Sequence, residues 1–224
     1  MAAELTYMEA AQLPLDEAAL ARRLFAGEII IFRQLPQMIA LQRDAWARAC
    51  AAFGSRQPDL EQQKFSADSL RERALALMEG FASDPSVTGR FLDVMAATGF
   101  PPGHLYWDMR RLRTSPSGED HNSRRVSRLP PHRDNWGSNV AAQVNWWAPL
   151  HAVEPARGLA LFPQHWDRPI ANNSGEWNLD ELRAHKRAGQ LRDYPLLPCA
   201  TEEPDWKQAL VLPLEPGDIA AFSG

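Results

Sequence analysis

Hydrophobic positions in the first hundred residues recur at helical spacing, and one short strand interrupts them. The run Ile29 to Phe32 is short and wholly apolar, which predicts a buried strand. The flanking segments place an apolar residue every three or four positions, and Ser66 or Asp68 is available to cap one of them. We therefore predict helices over four segments: 15–26, 37–53, 66–81 and 85–97.

After residue 100 the pattern changes to short strands joined by glycine and proline turns. Asn178 and Glu181 predict the start of a short helix that runs to Ala188. The sequence Glu215-Pro216-Gly217-Asp218 suits a type II turn. The predicted strands cover 104–114, 141–150, 158–162, 209–214 and 219–222.

This order of elements predicts an α+β fold with a mainly β core. A small antiparallel β sandwich or barrel with helices packed outside it accounts for both parts of the chain. We divide the chain into an N-terminal helical flank with one short strand, residues 1–103, and a β core, residues 104–224. With 224 residues and 45% hydrophobic content, we expect the two to form one structural domain.

Composition narrows the classes of function. The formal net charge of −4 gives no reason to expect nucleic acid or an anionic membrane as partner. Residues 1–11 lack the basic and apolar pattern of a signal peptide, and no window is apolar enough to span a membrane. Cys50 and Cys199 are far apart in sequence, so we expect reduced thiols and a cytoplasmic protein, with its oligomeric state open.

The strongest candidate for chemistry is the pair His132-x-Asp134. On an extended backbone, residues i and i+2 project from the same face, so both side chains could bind one metal ion while Arg133 points away. The preceding Leu129-Pro130-Pro131 favours that backbone. Such pairs also arise by chance, and His165-x-Asp167 is a second one, so a surface or capping role is the alternative.

The strand over 141–150 has two chemically different faces. Gln143, Asn145 and Trp147 share one face, and Val144, Trp146 and Ala148 share the other. Two amides and an indole would form a polar cavity wall. Alternatively, the polar face meets water and Trp146 faces the core, and composition favours neither arrangement.

Four motifs in order carry a resemblance to a known family: His132-x-Asp134, 145–150, 158–165 and 216–224. They resemble the phytanoyl-CoA dioxygenase-like family of Fe(II)- and 2-oxoglutarate-dependent oxygenases. The resemblance spans about residues 104–224. It implies a double-stranded β-helix core, a jelly-roll of the cupin type, and hydroxylation of a small-molecule substrate. Fe(II) would be the cofactor and 2-oxoglutarate the cosubstrate.

The resemblance also implies roles for individual residues. His132 and Asp134 match the family's proximal iron ligands. Trp147 falls beside the 2-oxoglutarate position, and we expect Asn145 and Gln143 to line the same cavity.

Two further residues are candidates for contact with substrate or cosubstrate, namely Trp136 and Arg111 or an arginine near it. Six arginines surround the polar loop 115–123: Arg110, Arg111, Arg113, Arg124, Arg125 and Arg128. They could receive an anionic molecule, and a solvated basic loop is the alternative.

In the family, a distal histidine and a basic residue that holds 2-oxoglutarate follow the last of these motifs. The resemblance thus places them, with the last core strands, after Gly224. Two protein ligands hold a first-row dication weakly, so we expect the 224-residue chain by itself to be inactive. His151 and His165 are weaker candidates for the third ligand. The competing hypothesis is a non-catalytic fragment, or a binding or interaction domain, derived from the same fold.

Overall fold

The computed structural model describes residues 4–108, 110–115, 129–190 and 194–224. The helices in these ranges are α1 (Glu17–Phe25), α2 (Pro36–Phe53), α3 (Ala67–Ser83), α4 (Pro85–Thr98), α5 (Asp134–Ser138) and α6 (Leu179–Arg187). The strands are β1 (Leu5–Met8), β2 (Ile29–Phe32), β3 (Val144–Trp147), β4 (Ala160–Leu161), β5 (Leu210–Val211) and β6 (Ile219–Ser223). Arg124, Arg125 and Arg128 lie outside the described residues.

The four helices predicted before residue 100 are confirmed, with ends that shift by two residues or fewer. The carboxylate of Asp16 accepts a hydrogen bond at the start of α1, and Ser66, rather than Asp68, caps α3. Gly54 and Gly99 adopt left-handed conformations at the ends of α2 and α4. Among the described helices, none is long and apolar enough to cross a membrane.

A four-stranded mixed sheet joins the two segments of the chain, in the order β1-β2-β6-β3. β1, which the sequence did not predict, pairs with β2 in parallel, and the other pairs are antiparallel. β6 lies between β2 and β3, so a strand from the helical flank is part of the same sheet as the strands that follow residue 104. β4 and β5 form a separate two-stranded sheet.

Helices cover one face of the four-stranded sheet, and the two-stranded sheet covers the other. On the helix-covered face, Ile30, Phe32 and Ala221 are fully buried in the cluster that contains the apolar side chains of α1 to α4. On the strand-covered face, Ile31 and Ala220 pack in a second cluster with the leucines of β4 and β5. The two small sheets therefore share one apolar layer.

A buried carboxylate fixes the junction between β2 and β6. Asp218 has no exposed surface and accepts hydrogen bonds from the backbone N–H of Gln34 at 3.0 Å and of Glu215 at 3.1 Å. The predicted type II turn is confirmed, because the Asp218 N–H donates to the Glu215 carbonyl at 2.9 Å and Gly217 has a φ of +98°.

One expectation about the β part differs from the structure. The strand predicted over 104–114 is wrong, since residues 104–108 and 110–114 pair with no other strand. Alternation along a segment is a local signal, whereas a strand also needs a partner edge. Within the described residues the strands form two sheets and no closed barrel, so the double-stranded β-helix stays a prediction.

Candidate metal centre

His132 and Asp134 lie where an extended segment turns into α5. Arg133 between them is extended, with φ −109° and ψ 135°, and Asp134 is the first residue of the helix. His132 Nε2 lies 3.4 Å from Asp134 Oδ1. The side chain of His132 is 18% exposed and that of Asp134 is 44% exposed, so the carboxylate side of the pair is open to an entering ion.

The imidazole of His132 is held in place through its second nitrogen. Nδ1 lies 2.7 Å from the carbonyl oxygen of Pro130. In the neutral ring this contact assigns the proton to Nδ1 and leaves the Nε2 lone pair facing Asp134, as in metal-binding histidines. Burial acts to lower the pKa of His132. In the protonated ring, however, Nε2–H donates to Asp134, and this hydrogen bond, the one to Pro130 and the charge of Asp134 outweigh burial, so the pKa is raised.

The pair fits two positions around one first-row dication. Metal bonds of about 2.0–2.2 Å to imidazole nitrogen and carboxylate oxygen can join donor atoms up to about 4 Å apart. The observed 3.4 Å between Nε2 and Oδ1 lies within that limit. In residues 4–108, 110–115, 129–190 and 194–224, no third His, Cys, Asp or Glu joins the pair in a metal-binding group.

Arg113 contributes a positive charge that acts on the His132–Asp134 pair. Burial lowers the pKa of Arg113, as does the neighbouring Arg111, while the charge of Asp134 opposes both. The charge of Arg113 also acts to lower the pKa of His132. Arg111 and Arg113 are both exposed, so the burial around Arg113 is partial, and Arg111 lies 3.5 Å from Asp108. Among the described arginines near position 111, Arg113 is thus the one whose charge acts on the pKa of His132.

Asn135 connects the pair to the end of β6, a contact that no sequence pattern indicated. Its Nδ2 donates to the carbonyl of Gly224 at 2.9 Å, across 89 positions of sequence. A methyl group on Gly224 would lie 3.2 Å from Asn145 Nδ2 and 3.3 Å from the backbone N of Asn135. α5, β3 and β6 therefore meet beside Asp134.

The two amides predicted as a cavity wall are linked to each other and to α5. Gln143 Nε2 donates to Asn145 Oδ1 at 2.7 Å, and the Ser138 hydroxyl bonds to Gln143 Oε1 at 2.5 Å. Asn145 Nδ2 and Asn135 Oδ1 are buried and have no hydrogen-bond partner within the described chain. These two atoms supply one donor and one acceptor next to Gly224.

The tryptophans of β3 divide between the two faces of the sheet. Trp146 packs in the helix-covered core, with its ring centroid 5.8 Å from those of Phe32 and Phe100. Trp147 packs against the apolar cluster of the strand-covered face, on the side of Asn145. Trp146 is thus a core residue and the amides lie on the other face, while the polar cavity wall stays a prediction.

The histidines considered as further ligands have other contacts. The His151 ring lies 5.6 Å from that of Trp46 in α2, tilted by 48°, and its Nδ1 is 3.9 Å from Asp59. The backbone carbonyl of His165 accepts a hydrogen bond from the Arg133 guanidinium. Asp167 is exposed. The described structure brings none of the three into the His132–Asp134 pair.

Trp136 of α5 lines an open depression of about 700 Å³. The segment that leads into α6, including Trp177 and Asn178, also lines it. Arg133 and Asn135, the two neighbours of Asp134, also line it. The depression is therefore adjacent to the candidate metal centre.

Comparisons with protein-family models, with curated proteins and with solved structures found no match for this chain.

Proposed function

We propose that this chain carries two iron ligands, His132 and Asp134, of an Fe(II)- and 2-oxoglutarate-dependent oxygenase that hydroxylates a small organic substrate in the cytoplasm. The observation that carries the proposal is the approach of His132 Nε2 to Asp134 Oδ1 at 3.4 Å, with Nδ1 fixed by the Pro130 carbonyl. An imidazole oriented by a backbone carbonyl beside a carboxylate is a typical arrangement of metal ligands.

The surroundings of the pair support the same proposal. The four motifs that carry the family resemblance lie far apart in sequence, yet β3 and β6 are adjacent, and the end of β6 contacts Asn135. The strand-covered face then offers amides from Asn145 and Gln143 on the side where the second sheet packs. Polar groups between two small sheets suit a buried cosubstrate.

The chain's own residues have distinct parts in this proposal. His132 and Asp134 would hold the ion, and bound Fe(II) would supply activation of oxygen and of the 2-oxo acid. Asn145 and Gln143 would orient the cosubstrate by hydrogen bonds, and Trp147 would exclude water from one side. An arginine, Arg113 or Arg111, would contribute positive charge for an anionic ligand.

A non-catalytic binding or interaction domain is the second candidate. It is favoured by one observation, namely that the described residues provide two ligands and no third. Two ligands are expected to give weak binding of a first-row dication.

The first experiment measures binding of Mn(II), as an oxygen-stable substitute for Fe(II), by titration calorimetry. We expect His132→Ala and Asp134→Asn to reduce affinity at least about tenfold. The matched controls are His104→Ala and Asp167→Asn, which remove the same groups elsewhere and are expected to leave affinity unchanged. Equal affinity in all five proteins would rule out the proposed site.

A second titration separates the two candidate functions. An oxygenase site binds 2-oxoglutarate through the ion, so 2-oxoglutarate is expected to tighten Mn(II) binding, whereas succinate is not. No effect of 2-oxoglutarate would favour the binding domain. We expect no succinate production from the 224-residue chain with Fe(II). Production that His132→Ala abolishes would instead identify a third ligand within the chain.

A further inference from the structure

The depression between α5 and the segment before α6 is lined by polar, aromatic and apolar residues. Trp136 and Trp177 are its two aromatic residues. The Trp177 indole N–H donates to the Pro195 carbonyl at 3.0 Å, which fixes that ring. Val140 and Leu179, which also line the depression, are 49% and 41% exposed. Apolar side chains left exposed around a hollow are typical of a ligand site.

Among the described residues that line the depression, one is charged, namely Arg133. Its guanidinium donates to the backbone carbonyls of His165 and Arg168. No carboxylate lies within ion-pair distance of it in the described chain. A half-buried guanidinium that contacts only neutral acceptors retains donors and charge for an anion.

We propose that this depression binds an organic anion that carries one carboxylate on an apolar or aromatic body. Arg133 would meet the carboxylate, and Trp136 and Trp177 would contact the body. A volume of about 700 Å³ suits a molecule of this size. The role of this anion as substrate at His132 and Asp134 rests on the proposed function. Its binding in the depression does not depend on that function.

The test uses 3-phenylpropionate, 3-phenylpropanamide and propionate as probes, titrated into the full chain in EDTA and followed by calorimetry. We expect the aromatic acid to bind about tenfold more tightly than its neutral amide, since only the acid makes a charge-assisted hydrogen bond. Propionate should bind more weakly than 3-phenylpropionate because it lacks the apolar body. Equal affinity for acid and amide would overturn the proposal.

Substitutions in the lining of the depression test where 3-phenylpropionate binds. Arg133→Gln is expected to remove the preference for the acid over the amide, and Arg157→Gln, an exposed arginine elsewhere, is the matched control. Leu179→Ser changes an exposed wall residue and is expected to weaken binding of both aromatic probes severalfold, so the test stands even if Arg133→Gln misfolds. Unchanged affinity in Leu179→Ser, or equal loss in Arg157→Gln, would refute the assignment.

The His132→Ala variant separates this inference from the metal site. Because the titrations contain EDTA, we expect this variant to bind 3-phenylpropionate with unchanged affinity. Loss of binding in His132→Ala but not in Arg133→Gln would place the probe at the metal pair and contradict the proposal. Absence of Mn(II) binding together with Arg133-dependent probe binding would refute the proposed function alone.

Discussion

The two faces of the four-stranded sheet differ in what they bury. Within the described part of the chain, the helix-covered face contributes Ile30, Phe32 and Ala221, all fully buried, to a cluster of nineteen buried residues. The strand-covered face contributes to a cluster of five buried residues and also carries Asn145, an amide. One face therefore supplies most of the apolar burial, and the other can include polar groups near the candidate metal centre at smaller energetic cost.

The sharpest test of this difference uses neighbouring isoleucines of β2 that point to opposite faces. We expect Ile30→Ala to lower the free energy of unfolding by about 4 kcal/mol, since the large helical core cannot collapse around the cavity. Ile31→Ala should cost about 2 kcal/mol, because the smaller cluster has more room to adjust. Urea denaturation measures both, and an equal or larger loss for Ile31→Ala would contradict the comparison.

The junction of β2 and β6 belongs to neither face, and its loss should affect both. Asp218→Ala is expected to cost about 3 kcal/mol, because the N–H groups of Gln34 and Glu215 lose a buried acceptor. The measurement is again the free energy of unfolding by urea. Asp93→Ala, at an exposed position of α4, is the control and should change stability little. A loss no greater than that of Asp93→Ala would show that the buried carboxylate contributes nothing.

For a substitution beside the candidate metal centre, Asn135→Ala, we expect weaker ion binding with little loss of stability. Asn135→Ala removes the hydrogen bond between α5 and Gly224, so Asp134 is held less firmly. Outer-shell changes of this kind reduce metal affinity by about tenfold. The measurement is Mn(II) affinity, with Asn139→Gly as control because glycine retains the positive φ of Asn139. Unchanged Mn(II) affinity in Asn135→Ala would show that the hydrogen bond between Asn135 and Gly224 does not contribute to metal binding.

The smallest expected effect is a pH dependence confined to the helical side. Arg48 lies 2.7 Å from Asp84, and this hydrogen bond, with those from Ser86, lowers the Asp84 pKa from 3.8 to about 2. A carboxyl group with a lowered pKa in the folded state stabilises the protein above its unfolded pKa. That contribution is lost as the pH falls from about 4 to about 2.

The variant Asp84→Asn tests this dependence because asparagine keeps a helix cap and removes the charge. The urea midpoint of the wild type should exceed that of the variant at neutral pH, and the difference should shrink below about pH 4. A constant difference across this range would show that the charge of Asp84 is not its cause.

Local signals predicted α1 to α4 and α6, and the extended backbone at Arg133, but not the short helix α5. Caps such as Ser66 and stops such as Gly54 act within one turn, so sequence alone located the ends of the helices. The extended residue between His132 and Asp134 followed from the neighbouring prolines. These features need no knowledge of distant parts of the chain.

Contacts between distant segments could not be predicted in the same way. β2 pairs with β6 across nearly the whole chain, and Asn135 reaches Gly224 across 89 positions. The register of such pairs depends on which faces become buried, and one sequence does not fix that. For the same reason Asn135 was missed as a site residue, and Arg113 could not be separated from Arg111.

The most direct test of the central claim is the Mn(II) affinity of the wild type, His132→Ala and Asp134→Asn, measured beside His104→Ala and Asp167→Asn. We predict saturable binding that falls at least about tenfold in the first two variants only, with thermal unfolding nearly unchanged in all of them. Binding that survives both substitutions, or that falls equally in the controls, would contradict the assignment of His132 and Asp134 as metal ligands.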